Sequence, residues 1–317
     1  LGKISGCVAA TLTFLTMLGG AAIAAPFAYV PNEGSGIVTI IDTTDDKVVG
    51  ELKAGKKPRG IAASPDGSRL YVSDQPGSRL VVFDLGSRSE IASVPLGASP
   101  EGVYVSPDGR YVAVASEEAN QVVFVDAGTG SVAFAVPVRG KNPEHAVFSP
   151  DGSTVYASAE DDDVVDVIDV SARKQVAQVK VAARPRGIGF LPDGSRAYVA
   201  AENADKVVVI DTRARTPVAE IKAGTRANGI LVHPSGAMVY VSNGGDGTVG
   251  VIDTTTNTVI ATIPVGKRPW NMAITPDGRK LYVANGRSNS VSVVDTERNE
   301  KVRDIAVGEL PWGVVVR

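Results

Sequence analysis

Seven residues at one repeating position carry most of the chemistry this chain can offer. They lie in loops of the form Gly-x-x-Pro-x-Gly or a close variant, and in chain order they are Arg59, Glu101, Glu144, Arg186, Asn228, Trp270 and Trp312. A position with only a structural task should settle on one residue type, yet here arginine, carboxylate, amide and indole share it. An arginine beside an aromatic wall would hold a small aromatic or acidic ligand, because the guanidinium fork matches a carboxylate with two N–H donors. The same set could instead plug itself, Arg59 pairing with Glu101 and Glu144 with Arg186. His145, next to Glu144, stands where five other copies have glycine. Its imidazole titrates near neutrality, which makes it the best proton-transfer candidate in the chain. Its plainer role is a hydrogen-bonded filler on an inner strand. These eight residues form the candidate binding ring, with no residue assigned to catalysis, no metal and no cofactor. The other histidine, His233, sits in a turn on the opposite face, so no His or Cys cluster of metal-ligand type arises.

The positions repeat because the chain does. Asp42, Asp84, Asp126, Asp169, Asp211, Asp253 and Asp295 recur at intervals of 42 residues, once 43, and each closes an apolar run such as Val207-Val208-Val209-Ile210-Asp211. A period in that range marks a repeat architecture. Within one copy, residues 60–64, 70–73, 80–85 and 90–96 read as four short strands rich in β-branched and aromatic side chains. Ser64-Pro65-Asp66-Gly67 between the first two has proline where φ must be near −65° and glycine at the fourth position, as a type I turn prefers. The turn returns at Pro107, Pro150, Pro192, Pro234 and Pro276. The periodic aspartates are expected to accept backbone N–H groups in the turn after the third strand, a structural role.

Four strands per copy make a propeller blade. The chain enters at Ala28-Tyr29-Val30, matching Tyr71-Val72, so the first copy lacks its innermost strand, and residues 311–316 after the last copy supply one. The expected fold is an all-β, seven-bladed β-propeller with four antiparallel strands per blade, its ring closed by pairing N-terminal strands with the C-terminal strand. Net charge is −3, aromatic residues are 5% of the chain, and no Lys/Arg run is interleaved with aromatics, all of which argue against a nucleic-acid partner.

Lys3, an apolar stretch from Val8 to Leu18, Gly19-Gly20 and Ala22-Ile23-Ala24 follow the order of a secretory signal peptide. Residues 1–24 are assigned to it and residues 25–317 to a single propeller domain, cleaved after Ala24 because Pro26 disfavours a cut one residue later. An uncleaved anchor is the competing reading. Cys7 would leave with the leader, and a cysteine-free mature chain suits a bacterial periplasm or the extracellular space. The mature chain is expected to be monomeric, without a membrane span.

Charge also sorts by loop. Lys56, Lys57, Lys141, Arg184, Arg226, Lys267 and Arg268 precede the inner strands, while Glu33, Glu117, Glu118, Glu160, Asp161, Asp162, Asp163 and Glu202 follow the second strands. An inner basic ring and an outer acidic rim are expected on one face. Asp161-Asp162-Asp163 lacks the glycine and alternating spacing of a calcium loop. The single 43-residue interval places an extra residue near Arg139, just before Glu144 and His145.

Tyr29-Val30-Pro31-Asn32, Tyr240-Val241-Ser242-Asn243 and Tyr282-Val283-Ala284-Asn285, with Pro-Asp-Gly before and Val-Ile-Asp after, resemble the YVTN-type β-propeller repeat family over nearly all of the chain. Within it, the chain is similar to secreted propellers associated with pyrroloquinoline quinone-dependent alcohol catabolism. That resemblance implies a non-catalytic binding or scaffold protein, which presents its channel face to a periplasmic protein or small ligand and is accessory to a quinoprotein dehydrogenase pathway. Lactonases have a similar shape, and the alternative they imply is a hydrolase using the Glu144/His145 region. Without a nucleophile elbow, metal triad or phosphate loop, the sequence leans against catalysis.

Overall fold

A computed structural model describes Gly2 and residues 26–317; the assigned signal segment lies outside the described residues. Residues 27–316 form a closed ring of seven four-stranded antiparallel sheets. Blade 2 shows the pattern: β4 (Pro58–Ala63) is innermost, followed outward by β5 (Arg69–Asp74), β6 (Arg79–Asp84) and β7 (Ser89–Pro95). Blades 3 to 7 repeat it, with inner strands β8 (Pro100–Val105), β12 (Pro143–Phe148), β16 (Pro185–Phe190), β20 (Ala227–Val232) and β24 (Pro269–Ile274). The only helical turn among the described residues is a 3₁₀ turn, Glu202–Ala204.

Blade 1 joins the ends of the chain. Its outer three strands are β1 (Phe27–Asn32), β2 (Ile37–Asp42) and β3 (Lys47–Lys53), and its inner strand is β28 (Val315–Val316). The pairing extends beyond β28 through Trp312 N donating to Pro31 O at 2.9 Å and a bridge between Asn32 and Pro311.

The second and third strands are buried on both faces because successive sheets stack on both sides. They therefore read as continuous Val/Ile/Leu/Tyr runs, not as an alternating pattern. Each core joins two blades: Tyr71, Leu80 and Val82 of blade 2 pack against Val103, Val114 and Val123 of blade 3. Each outermost strand is largely exposed and carries a bulge, as between Val82 and Phe83 across β6 and β7, which disturbs the free edge.

Inner strands are crowded. A Cβ on Gly60 would lie 2.2 Å from Glu101 O of the next blade, so only glycine lets the two backbones approach. Here β4 bulges, Gly60 N donates to Ser73 Oγ at 2.8 Å, and Ser73 Oγ donates to Glu101 O at 2.7 Å, sewing neighbouring blades together.

All seven periodic aspartates accept backbone N–H groups as expected; Asp253, for example, takes Thr255 N at 3.0 Å and Thr256 N at 2.8 Å. The Pro-Asp-Gly aspartates do the same. Hydrogen bonds from Ser64 and Ser68 draw Asp66 down to about 2, and similar bonds lower Asp84, Asp126, Asp169 and Asp253. A carboxyl whose folded pKa is depressed stabilises the fold above its unfolded value and loses that contribution as pH falls through the folded one. The melting temperature should therefore fall between pH 4 and pH 2; circular dichroism melts that stay flat across that window would contradict the assignment.

Candidate functional site

The loops entering the inner strands bring Arg59, Glu101, Glu144, Arg186, Asn228, Trp270 and Trp312 to one end of the channel. Packing there removes most of them from water: Glu101 is 1% exposed, Asn228 2% and Glu144 6%. Buried charges must be paired or shift their protonation. Both sequence-expected pairs form. Arg59 Nη1 donates to Glu101 Oε1 at 2.6 Å, and Arg186 binds Glu144.

The basic ring and acidic rim are not separate layers. Glu33, Glu160 and Glu202 fold inward between the arginines instead of forming a solvated rim. Glu33 meets Arg59 at 3.3 Å, and Glu160 meets both Arg186 and Arg184. Glu202, whose side chain has no accessible surface, gathers four arginines: Arg268 at 2.6 Å, Arg226 at 3.2 Å, Arg184 at 3.3 Å and Arg186 at 3.6 Å. Burial pushes its carboxyl up, but Arg186, Arg268 and Arg184 together hold it below the usual range. Asp161, Asp162 and Asp163 accept from Asn142 Nδ2, Lys141 N and Arg184 N, respectively, each carboxylate tying down a loop.

The two tryptophans do not make one wall. Trp312 lies across the channel and stacks on His145 of blade 4, ring centroids 5.6 Å apart and 25° between planes. Trp270 turns toward Gly286, where an added Cβ would sit 2.6 Å from its ring. Arg59, engaged by Glu33 and Glu101, is not a free fork beside Trp312. Further along the inner strands lies an apolar cavity of about 240 Å³, lined by Ile61, Val103, Ile188, Ile230, Met272 and Trp312 among others.

His145 is 1% exposed, and its Nδ1 lies 2.6 Å from the Tyr104 hydroxyl. Burial and, secondarily, Arg186 push its pKa down to about 3, so it is a neutral filler, not a proton shuttle at neutral pH. Tyr104 was missed in the sequence. It is the only tyrosine at a position otherwise held by Ala62, Val147, Gly189, Leu231, Ala273 and Val315, and that mismatch was the available signal.

Glu101 behaves differently. Its Oε1 accepts from Arg59, from Gln75 Nε2 at 2.8 Å and from Ser99 Oγ at 3.3 Å, while Oε2 has no hydrogen-bond partner. Burial lifts its pKa to about 7 against the pull of Arg59, with Glu117 adding a like charge. Across the ring, in blade 6, Asn228 Nδ2 is a buried donor without a partner, while the unpartnered Trp270 Nε1 and Arg268 Nη1 belong to side chains that pack against Gly286 and Gly244. The mouth thus holds an acceptor of near-neutral pKa and, across from it, an unpaired amide donor, a composition suited to a polar carbonyl ligand.

A family model described as "Lactonase, 7-bladed beta-propeller" matches residues 24–136 and 145–307. The chain belongs to this family. The break in the match, residues 137–144, falls on the irregular loop that carries the extra residue and Glu144. No curated protein matches the sequence. Among solved structures, this lactonase-family chain is similar to hydrazine synthase of Kuenenia stuttgartiensis, 23% identical over 90% of this chain and 99% of that one, with a TM-score of 0.79. It is also similar to a "putative 6-phosphogluconolactonase" of Bacteroides uniformis, 20% identical over 92% and 100% of the two chains, TM-score 0.78. A protein of Bacteroides fragilis with the same description is 18% identical over 94% and 99%, TM-score 0.79. At these identities the structural likenesses speak for the fold.

The family match corrects the expectation of a non-catalytic scaffold accessory to a quinoprotein dehydrogenase, and with it the leaning against catalysis. Sequence reasoning sought a nucleophile elbow or metal triad, whereas the mouth offers a carboxyl whose basicity comes from burial, which no local motif records.

Removing one member of a buried charge cluster leaves its partners uncompensated and costs about 3–5 kcal/mol. Glu202→Gln, which strands parts of four arginines, should lose stability of that order in urea unfolding. A change below about 0.5 kcal/mol, the range of an exposed pair, would show that the cluster is solvated.

Proposed function

We propose that this chain hydrolyses a lactone at the channel mouth, with Glu101 as general base. The observation that carries the reading is Glu101 itself, a buried carboxyl with a pKa near 7 and one unpaired oxygen in a member of a lactonase family. A base is most effective when its pKa lies close to the working pH.

In the proposed reaction Glu101 Oε2 takes a proton from water as the water oxygen attacks the lactone carbonyl carbon. Negative charge develops on the carbonyl oxygen, where Asn228 Nδ2 supplies an N–H donor that has no other partner. When the carbonyl re-forms, the ring C–O bond breaks and the ring oxygen leaves as an alcohol, taking the proton from Glu101. The product is a hydroxy acid, and Glu101 is again a carboxylate. Arg59 holds Oε1, which leaves Oε2 as the reactive oxygen. Glu144, bound by Arg186, and His145, held neutral under Trp312, position the mouth in this scheme and do not transfer protons.

Membership of the YVTN-type repeat group, a cleaved leader over residues 1–24, a mature domain over 25–317 and a periplasmic or extracellular site of action are part of the same proposal. The Tyr-Val-x-Asn repeats and the order of charged, apolar and small residues at the N-terminus support them.

Hydrolysis of simple γ- and δ-lactones followed by pH-stat should show kcat/KM rising with pH through about 7, since the base must be ionised. Glu101→Gln should lower kcat/KM by about 10²–10⁴-fold and remove that inflection. Asn228→Ala should lower kcat by about 10²-fold. Equal rates in wild type and Glu101→Gln, with both folded by circular dichroism, would refute the assignment.

A further inference from the structure

Two pairs of adjacent blades, 5 with 6 and 7 with 1, are latched on the face opposite the mouth by the same device. The tyrosine of the second strand reaches the left-handed residue that ends the four-residue turn after the periodic aspartate of the next blade, whereas Tyr240 and Asn299, at the same positions between blades 6 and 7, make no such bond. Tyr198 donates to Asn257 Oδ1 at 3.1 Å, and Tyr282 donates to Asp46, whose carboxylate also receives Lys280 at 3.0 Å. A cation two residues before the tyrosine adds a bond to a backbone carbonyl of the same neighbouring turn: Arg69 to Ala127 O, Arg196 to Thr254 O at 3.2 Å and Lys280 to Thr43 O at 2.8 Å.

Between blades 4 and 5 both parts are absent, as they are between blades 1 and 2, where Phe27 and Arg88 hold the two positions. Thr154 stands where the cation would be, and Arg215 occupies the left-handed position in place of Asn or Asp. Tyr156 is left with a contact of 3.5 Å to Thr212 O, at the limit of a hydrogen bond. A cavity of about 420 Å³ lies here, bordered by Tyr156, Thr212, Arg213, Arg215, Phe190 and Pro192 among others, larger than the cavities of about 320 and 310 Å³ at the corresponding places between blades 2 and 3 and between blades 3 and 4. Tyr156 and Phe190 meet edge to face, 4.9 Å between centroids. Two other arginines at the left-handed position lie over aromatic rings, Arg88 on Phe27 and Arg173 on Phe134, but the exposed Arg215 guanidinium has no ring, ion-pair or hydrogen-bond partner among the described residues. Asp151 and Asp193, at the border, are engaged by the serines of their own turns.

The repeat itself indicates the missing group. Where Asp46 completes the latch, a carboxylate sits between a tyrosine hydroxyl and a cation; at the blade 4/5 junction the hydroxyl is present, Arg215 of the turn supplies a cation in place of the missing one, and there is no carboxylate between them. We propose that this junction binds a small monocarboxylate with an apolar body, its carboxylate taking the place of Asp46 between Tyr156 and Arg215 and its body resting on Phe190 and Pro192. The site is separate from the channel mouth and does not depend on hydrolysis there.

Benzoate is the probe, titrated into the full chain and followed by calorimetry and by saturation-transfer NMR. Wild type should bind one equivalent saturably. Tyr156→Phe, which removes one hydroxyl donor, should weaken binding about tenfold. Arg215→Asn should abolish binding and raise the melting temperature, because asparagine tolerates the left-handed conformation and can latch Tyr156 as Asn257 latches Tyr198. Glu101→Gln should bind benzoate as wild type does, which separates this site from the mouth. Absence of saturable binding, unchanged affinity in both Tyr156→Phe and Arg215→Asn, or loss of binding in Glu101→Gln would overturn the proposal.

Discussion

Burial of charge where seven inner strands converge is the constraint on which the site depends. The side chain that follows the leading proline or alanine of each strand is forced toward one axis, and water is largely excluded from the space between them. A charged group there must find an opposite charge or change its protonation. Most of the arginines and carboxylates pair, and Glu202 with four arginines is the fullest case. Glu101 is bonded to Arg59, with Arg186 within reach of its charge and a second carboxylate, Glu117, nearby, but burial outweighs the cations and its pKa rises. The feature that makes the mouth reactive in the proposed scheme is thus a carboxyl whose burial outweighs its ion pairing.

Convergence needs a closed ring. Closure rests on the short strand Val315–Val316 and on the contacts of Trp312 and Pro311 with the first strand, so the residue that lies across the channel comes from the segment that seals the ring. Trp312 stacks on His145, Tyr104 holds the other side of that imidazole, and the mouth is thereby given a rigid floor. The extra residue in the loop before blade 4 coincides with this arrangement and with the gap in the family match.

Much of the fold was legible in the sequence because repetition amplifies weak local signals. One Pro-Asp-Gly turn or one Val-Ile-Asp run says little, whereas several in register give blade number and ring closure. The ring positions Arg59, Glu101, Glu144, Arg186, Asn228, Trp270 and Trp312 could be found by comparing copies, and the two expected ion pairs form. Side-chain direction was not legible. Glu33, Glu160 and Glu202 were assigned to an outer rim because their loops lie outside the inner strands, but long carboxylates reach inward when arginines await them. Trp270 and Trp312 are neighbours in the ring yet diverge, since one covers Gly286 and the other crosses the channel. His145 drew attention by residue type, and burial removed the property that made it attractive. Glu101 looked like its neighbours, and burial gave it that property.

The claim that matters most is therefore electrostatic: Glu101 titrates near neutrality because burial outweighs its ion pair with Arg59. Carboxyl ¹³C chemical shifts of glutamate-labelled protein, followed from pH 4 to pH 9 and assigned with Glu101→Gln, test it without reference to any substrate. The account predicts one glutamate resonance with a midpoint near 7 that disappears in the variant. A Glu101 midpoint in the ordinary carboxylate range, close to 4.5, would contradict it.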